Sequence, residues 1–124
     1  MSTILQIKLK EEFKMFLEKY LNPTYLHLVY NNYEDFYLKS LDEENFYKVY
    51  MLLKQNNFYF IEDIILNYLE LFEIDVGYVE NAILDVKSVL KEDFVNKIGK
   101  NMEIIDKIIE LAIKYGENKI TNKE

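Results

Sequence analysis

Cysteine, tryptophan and arginine are absent from the 124 residues; proline occurs once and glycine three times. Without cysteine there is no disulfide framework and no thiolate zinc site. Without arginine the planar fork that grips phosphates and guanine edges in two places is missing. Anion recognition would then fall to Lys ammonium groups or backbone N–H groups. So little glycine and proline leaves few tight hairpins or phosphate-cradling loops, and neither GxGxxG nor GxxxxGK occurs. Long apolar runs are also lacking: no segment approaches the ~18 uncharged apolar residues of a membrane span. The N-terminal MSTILQIKLKEEFKMF carries an acidic pair where a signal peptide needs an apolar run. These absences predict a soluble cytoplasmic protein with no cofactor, no metal and no membrane partner.

What is present is apolar, aromatic and unevenly charged. Half of the residues are hydrophobic, enough for one sizeable core. The expectation is one helical domain over residues 1–116 and a flexible tail over 117–124. All of the net charge of -7 can be assigned to one stretch. Residues 55–86 hold Glu62, Asp63, Glu70, Glu73, Asp75, Glu80 and Asp85 and no basic residue. Residues 1–54 have seven Lys against eight acids, and residues 87–124 have eight against seven, so the two flanks cancel. A concentrated negative field attracts cationic partners and repels nucleic acid and anionic lipid.

Helical spacing dominates the apolar pattern. Leu9, Phe13, Phe16, Leu17 and Tyr20 predict a helix over 3–21, although Leu5, Ile7 and Leu9 alternate as in a short strand (residues 4–9). Asn22 and Pro23 end it, and Pro23 suits the first position of a following helix. Residues 24–30 read as a short helix or a strand, Asn31 and Asn32 as a break, and YEDFYLKS as a short helical piece. Ser40 and Glu43 have capping-box spacing ahead of a helix burying Phe46, Val49, Tyr50 and Leu53, which Asn56 and Asn57 stop. Ile61, Ile64, Ile65, Tyr68 and Phe72 share one face. Val76, Val79, Ile83, Val86 and Leu90 follow the seam spacing of near-parallel or antiparallel packing. A short helix carries Phe94, Val95 and Ile98, with Gly99 as its left-handed cap. Asn101 then caps a last helix lined by Ile104, Ile105, Ile108, Leu111 and Ala112, which Gly116 ends. Ile109 and Ile113 widen that stripe, which either closes a homo-oligomer or finishes the core. The fold class is all-α, a compact bundle or short stack of about six or seven antiparallel helices.

Phe60-Ile61-Glu62-Asp63-Ile64 resembles Phe94-Val95-Asn96-Lys97-Ile98 at an offset of 34, and Asn67 then matches Asn101. The order long helix, short helix, loop, long helix runs through LLKQNNFYFIEDIILNYLELF and VENAILDVKSVLKEDFVNKIGKNMEIIDKII. In that order residues 46–111 resemble the helical repeat of the mTERF family. The resemblance implies a curved helical stack that binds nucleic acid along a basic groove. Two features differ from the family: Tyr68 and Met102 stand near the places of its proline, and the first copy has no Lys after Lys54.

Catalytic constellations do not assemble from these residues. His27, the single histidine, lies between Leu26 and Leu28 with no Cys to act on, and Ser2, Ser40 and Ser88 sit in no nucleophile elbow. Asp75-Val-Gly77 is too sparse for a calcium loop. No enzyme is expected. Of the eleven tyrosines, Tyr30, Tyr33 and Tyr37 fall at i, i+3, i+7 beside Glu34 and Asp35. On one helix they would make an aromatic stripe edged with charge, suited to protein contact. The expected function is a non-enzymatic protein-interaction module docking on a partner protein with a basic surface. Its contact set is Glu62, Asp63, Glu70, Glu73 and Asp75 with Tyr30, Tyr33 and Tyr37. By analogy it would be a small inhibitor or immunity-type protein, such as a phage or mobile-element anti-defence protein. The alternative is an mTERF-like repeat protein associated with nucleic acid; direct nucleic-acid binding is not favoured by the charge.

Overall fold

The computed structural model describes residues 16–122. They divide into two compact units between Glu43 and Glu44. Among the described residues every regular element is helical, so the fold is all-α. The possible strand at 4–9 lies outside them, as does most of the first predicted helix. Its described end is helical over 16–18 and turns at Lys19 and Tyr20, before Leu21.

In the first unit, α1 spans Pro23–Asn32 and α2 spans Asp35–Lys39. The Asn22 side chain accepts the Tyr25 N–H at 3.0 Å while Pro23 fills the first turn, so the start is capped and pre-set. Residues 24–30 are therefore helix and not strand. Leu26 and Val29 are buried three apart while His27 and Leu28 face solvent, a pattern that alternation cannot give. Asn31 and Asn32 do not break α1: both are helical, and Asn31 Nδ2 lies 3.1 Å from His27 Nε2 one turn back. The break falls at Tyr33, which is extended. Ser40 does not form the expected capping box. Its hydroxyl turns back and donates to the Tyr37 carbonyl at 2.6 Å, and Glu43 accepts from Lys19 Nζ at 2.9 Å.

The second unit runs long, short, long, short, long. Its elements are α3 (Glu43–Gln55, which begins one residue ahead of the unit), α4 (Ile61–Asn67), a 3-10 turn (Leu69–Glu73), α5 (Val76–Leu90), α6 (Phe94–Lys100) and α7 (Glu103–Asn122). Asn56 and Asn57 stop α3 as expected. Asn57 takes a left-handed φ of 67°, its N–H bonds to Lys54 O, and the Phe58 N–H reaches Leu53 O at 3.0 Å. This is the Schellman arrangement with Asn in the place of Gly.

The face expected to continue from Ile61 to Phe72 is broken. Tyr68 leaves the helical region at φ -138°, ψ 47°, and the 3-10 turn that follows buries Leu69, Leu71 and Phe72. Asn45 on α3 fixes this turn by donating to the carbonyls of Phe72 (2.9 Å) and Ile74 (2.7 Å). Beside it Phe46 and Phe72 stack with centroids 4.6 Å apart.

α5 packs chiefly on α7. Val79, Ala82, Ile83 and Val86 are buried on one, and Ile105, Ile108, Ile109 and Ala112 on the other. Two glycines do other work than the sequence predicts. Gly99 lies inside α6 with no positive φ; a Cβ there would stand 3.1 Å from the Phe60 ring and 3.3 Å from the Tyr59 hydroxyl. Gly116 does not end α7, which continues to Asn122; its Cβ would meet the Tyr78 ring at 3.2 Å. Both are glycines because a neighbouring ring occupies the side-chain space. Asn101 sits at the C-cap of α6, and its backbone carbonyl accepts the Ile104 N–H. Ile113 stays half exposed on α7, with Leu84 and Val89 on α5 also turned to solvent.

Candidate binding surface

The predicted contact residues fall in both units. Tyr30, Tyr33 and Tyr37 belong to the first, and Glu62, Asp63, Glu70, Glu73 and Asp75 to the second. The tyrosines do not share a helix, because α1 ends before Tyr33 and α2 begins at Asp35. Tyr33 and Tyr37 nevertheless stack, with centroids 5.7 Å apart. Tyr30 is half-buried. Burial first, then the charges of Asp35 and Glu18, push its phenol up to about 12, since each disfavours the phenolate. Next to this pair Phe36 is 85% exposed.

In the second unit the acids take different positions. Glu62 and Asp63 occupy the first turn of α4 and are half-buried. Glu70 and Glu73 are exposed on the 3-10 turn, and Glu80 is exposed on α5. Asp75 is engaged locally as the N-cap of α5, where its carboxylate accepts the Gly77 N–H at 2.9 Å. Asp85 accepts from the Tyr115 hydroxyl at 2.5 Å, and that bond, with burial, holds the Tyr115 phenol above its ordinary value.

The fold also gathers groups that a linear count separates. A groove of about 730 Å³ opens between α4 and α6. Tyr59, Phe60, Asp63, Asn67, Tyr68, Gly99 and Met102 line it. The Tyr68 phenol is raised by burial and then by the negative charges of Asp106, Glu103 and Glu70. Glu103 and Asp106 sit in the first turn of α7, in the flank where acids and lysines balance. Sequence reasoning missed them for that reason, and it placed Tyr68 on the apolar face that begins at Ile61. A signal for them existed in the first-turn acids of a long helix following a short one.

Several lysines have identifiable partners. Lys19 pairs with Glu43, Lys48 with Glu44, and Lys107 and Lys114 both with Glu110. These carboxylates all lie outside residues 55–86. The Glu43 hydrogen bond, then its charge, raises the Lys19 ammonium. Lys54 lies over the Tyr50 ring, Lys87 over Phe94, and Lys97 donates to the Leu90 carbonyl.

Among the described residues no group of three or more His, Asp or Glu is placed to hold a metal ion. Among them, too, no helix is long and apolar enough to cross a membrane. Comparison with family models, with curated proteins and with solved structures finds no match for this chain.

Proposed function

We propose that the chain is a non-enzymatic interaction module whose acidic surface docks on a basic surface of a partner protein, in the manner of a small inhibitor or immunity-type protein. One observation carries this reading. The ion pairs of Lys19, Lys48, Lys107 and Lys114 are made with carboxylates of the flanks, while Glu70, Glu73 and Glu80 of the middle stretch face solvent. Glu70 and Glu80 therefore present carboxylate at the solvent face of the middle stretch, and that field is what a basic surface would meet. Such a field raises association rates and selectivity more than affinity. The test is the association rate with the protein recovered by pull-down from the native host. Changing Glu62, Glu70 and Glu73 to Gln and Asp75 to Asn together is expected to slow association about tenfold at low salt. An unchanged rate would remove the electrostatic reading.

The mTERF-like alternative keeps one supporting observation. Both short helices are seven residues long and each is preceded by a residue of positive φ, Asn57 before α4 and Lys91 before α6, again 34 apart. Mixing with DNA or RNA at low salt separates the two readings. Binding that falls steeply with salt through counterion release favours the repeat reading.

A further inference from the structure

The groove between α4 and α6 has walls made in advance of any ligand. Tyr59 is 71% exposed, a position where a ring ordinarily swings freely. Here its hydroxyl donates to Asn96 Oδ1 at 2.8 Å, and Asn96 in turn donates to Asp93 Oδ1 at 2.6 Å. Its other constraint is the Phe60 ring, met edge-on with centroids 5.0 Å apart and planes at 87°. An exposed ring pinned at its tip and edge has already lost its rotamer freedom, so a ligand stacking on it would not bear that cost again. Gly99 lets α6 close on both rings, since any larger side chain would meet Phe60 Cε1 at 3.1 Å.

Carboxylates stand at the groove. Asp63 stands in the lining, and the charges acting on Tyr68 at its rim, Asp106, Glu103 and Glu70, are all carboxylates. An anion would be repelled there, and a neutral donor would gain hydrogen bonds but no net charge attraction. A cation with a flat face would use both features. It can lie on an aromatic ring through the ring quadrupole and donate to carboxylates from its edge. Guanidinium has that shape, and an ammonium point charge does not.

Resting on the reading above, we propose that this groove seats an arginine side chain from a basic segment of the partner protein, with Tyr59 as the stacking plane and Asp63 and Asp106 as the carboxylate side.

The probe is the capped peptide acetyl-Gly-Gly-Arg-Gly-Gly-amide, titrated into the full ¹⁵N-labelled chain, with the citrulline peptide as its neutral isostere. The arginine peptide should move the amide signals of Tyr59, Tyr68, Gly99 and Met102 most. The Asp63→Asn, Asp106→Asn pair should weaken it about fivefold to tenfold. Glu80→Gln with Glu92→Gln removes equal charge from residues that line other depressions, and should change binding less than about twofold. Tyr59→Leu leaves every charge in place at an exposed position, so folding is retained, and should weaken binding about threefold or more. Equal losses in the two double variants, undiminished binding by Tyr59→Leu, equal binding of the citrulline peptide, or no binding of the arginine peptide would each overturn the groove. None of these outcomes touches the broader docking reading, which fails only if the fourfold neutralised variant keeps its association rate.

Discussion

The two short helices of the second unit invite a direct comparison. α4 and α6 have the same length, follow a residue of positive φ, and bury apolar side chains at matching places: Phe60 and Ile64 at one, Phe94 and Ile98 at the other. Their polar positions are opposite in sign. Glu62 and Asp63 open α4, while Lys97 and Lys100 close α6. Their exits differ as well. α6 passes almost directly into α7, but α4 stops at Tyr68 and enters a 3-10 turn. Shared apolar spacing therefore sets shared packing, while the polar residues and the exits decide what each copy presents outside. The groove lies between the two because one copy supplies carboxylate and rings and the other supplies the glycine against which they close.

The exit from α4 is where the comparison breaks most readily. Phe72 is 2% exposed and stacks on Phe46, which is fully buried. Phe72→Ala should cost about 3–5 kcal/mol, the transfer term plus the cavity left behind. Urea unfolding checks it, and a loss below 1 kcal/mol would mean that the turn contributes little to the core. The same turn depends on a polar anchor. Asn45→Ala removes donors to two backbone carbonyls and should cost about 1–3 kcal/mol, since partly buried acceptors lose their partner. An unchanged denaturation midpoint would show that water replaces the amide without loss.

The entry to α6 sharpens the comparison from the other side. Asn57, before α4, adopts the left-handed conformation that Asn tolerates, but Lys91 takes φ 63°, ψ -142°, close to a region used almost only by glycine. Lys91→Gly should raise stability by about 1 kcal/mol through relief of that strain. Asn57→Gly should change it by much less. Equal effects of the two in thermal or denaturant unfolding would mean that Lys91 is not strained relative to its counterpart.

Much of this architecture was legible because it depends on neighbours close in sequence. The helical class followed from apolar spacing, the stop after α3 from Asn56 and Asn57, and the start of α1 from Asn22 and Pro23. What was not legible depends on partners far along the chain. A glycine near a helix end looks the same whether the backbone needs a positive φ or a distant ring needs the space. Gly99 and Gly116 were expected as caps, and only Phe60 and Tyr78 reveal why they are glycines. The hydroxyl of Ser40 could turn forward or back, and Tyr37 O took it. Tyr68 continues the apolar stripe of α4 on paper. The break there is tied to Asn45, whose bonds to Phe72 O and Ile74 O span 27 and 29 residues. The candidate surface was half legible. Clustered acids can be counted, but Glu103 and Asp106 are offset in sequence by nearby lysines and become neighbours of Tyr68 only when α7 is in place.

Tyr68 and Asn101 stand at the C-caps of α4 and α6, and only one of them titrates, which gives the smallest and most local test. The Tyr68 phenol is raised by burial and then by Asp106, Glu103 and Glu70. A raised folded value means that the native state holds this proton more tightly than the unfolded chain. The associated stability is complete below the unfolded value near 10 and is lost as pH rises through the folded value. Tyr68→Phe should therefore flatten part of the alkaline fall in stability without altering the neutral-pH midpoint greatly. Glu103→Gln with Asp106→Asn should bring the phenol back toward its ordinary value, read as the wild-type minus Tyr68→Phe difference in phenolate absorbance. If that difference titrates at the same pH with and without the two carboxylates, they do not reach the groove, and its negative character would then rest on Asp63 and Glu70.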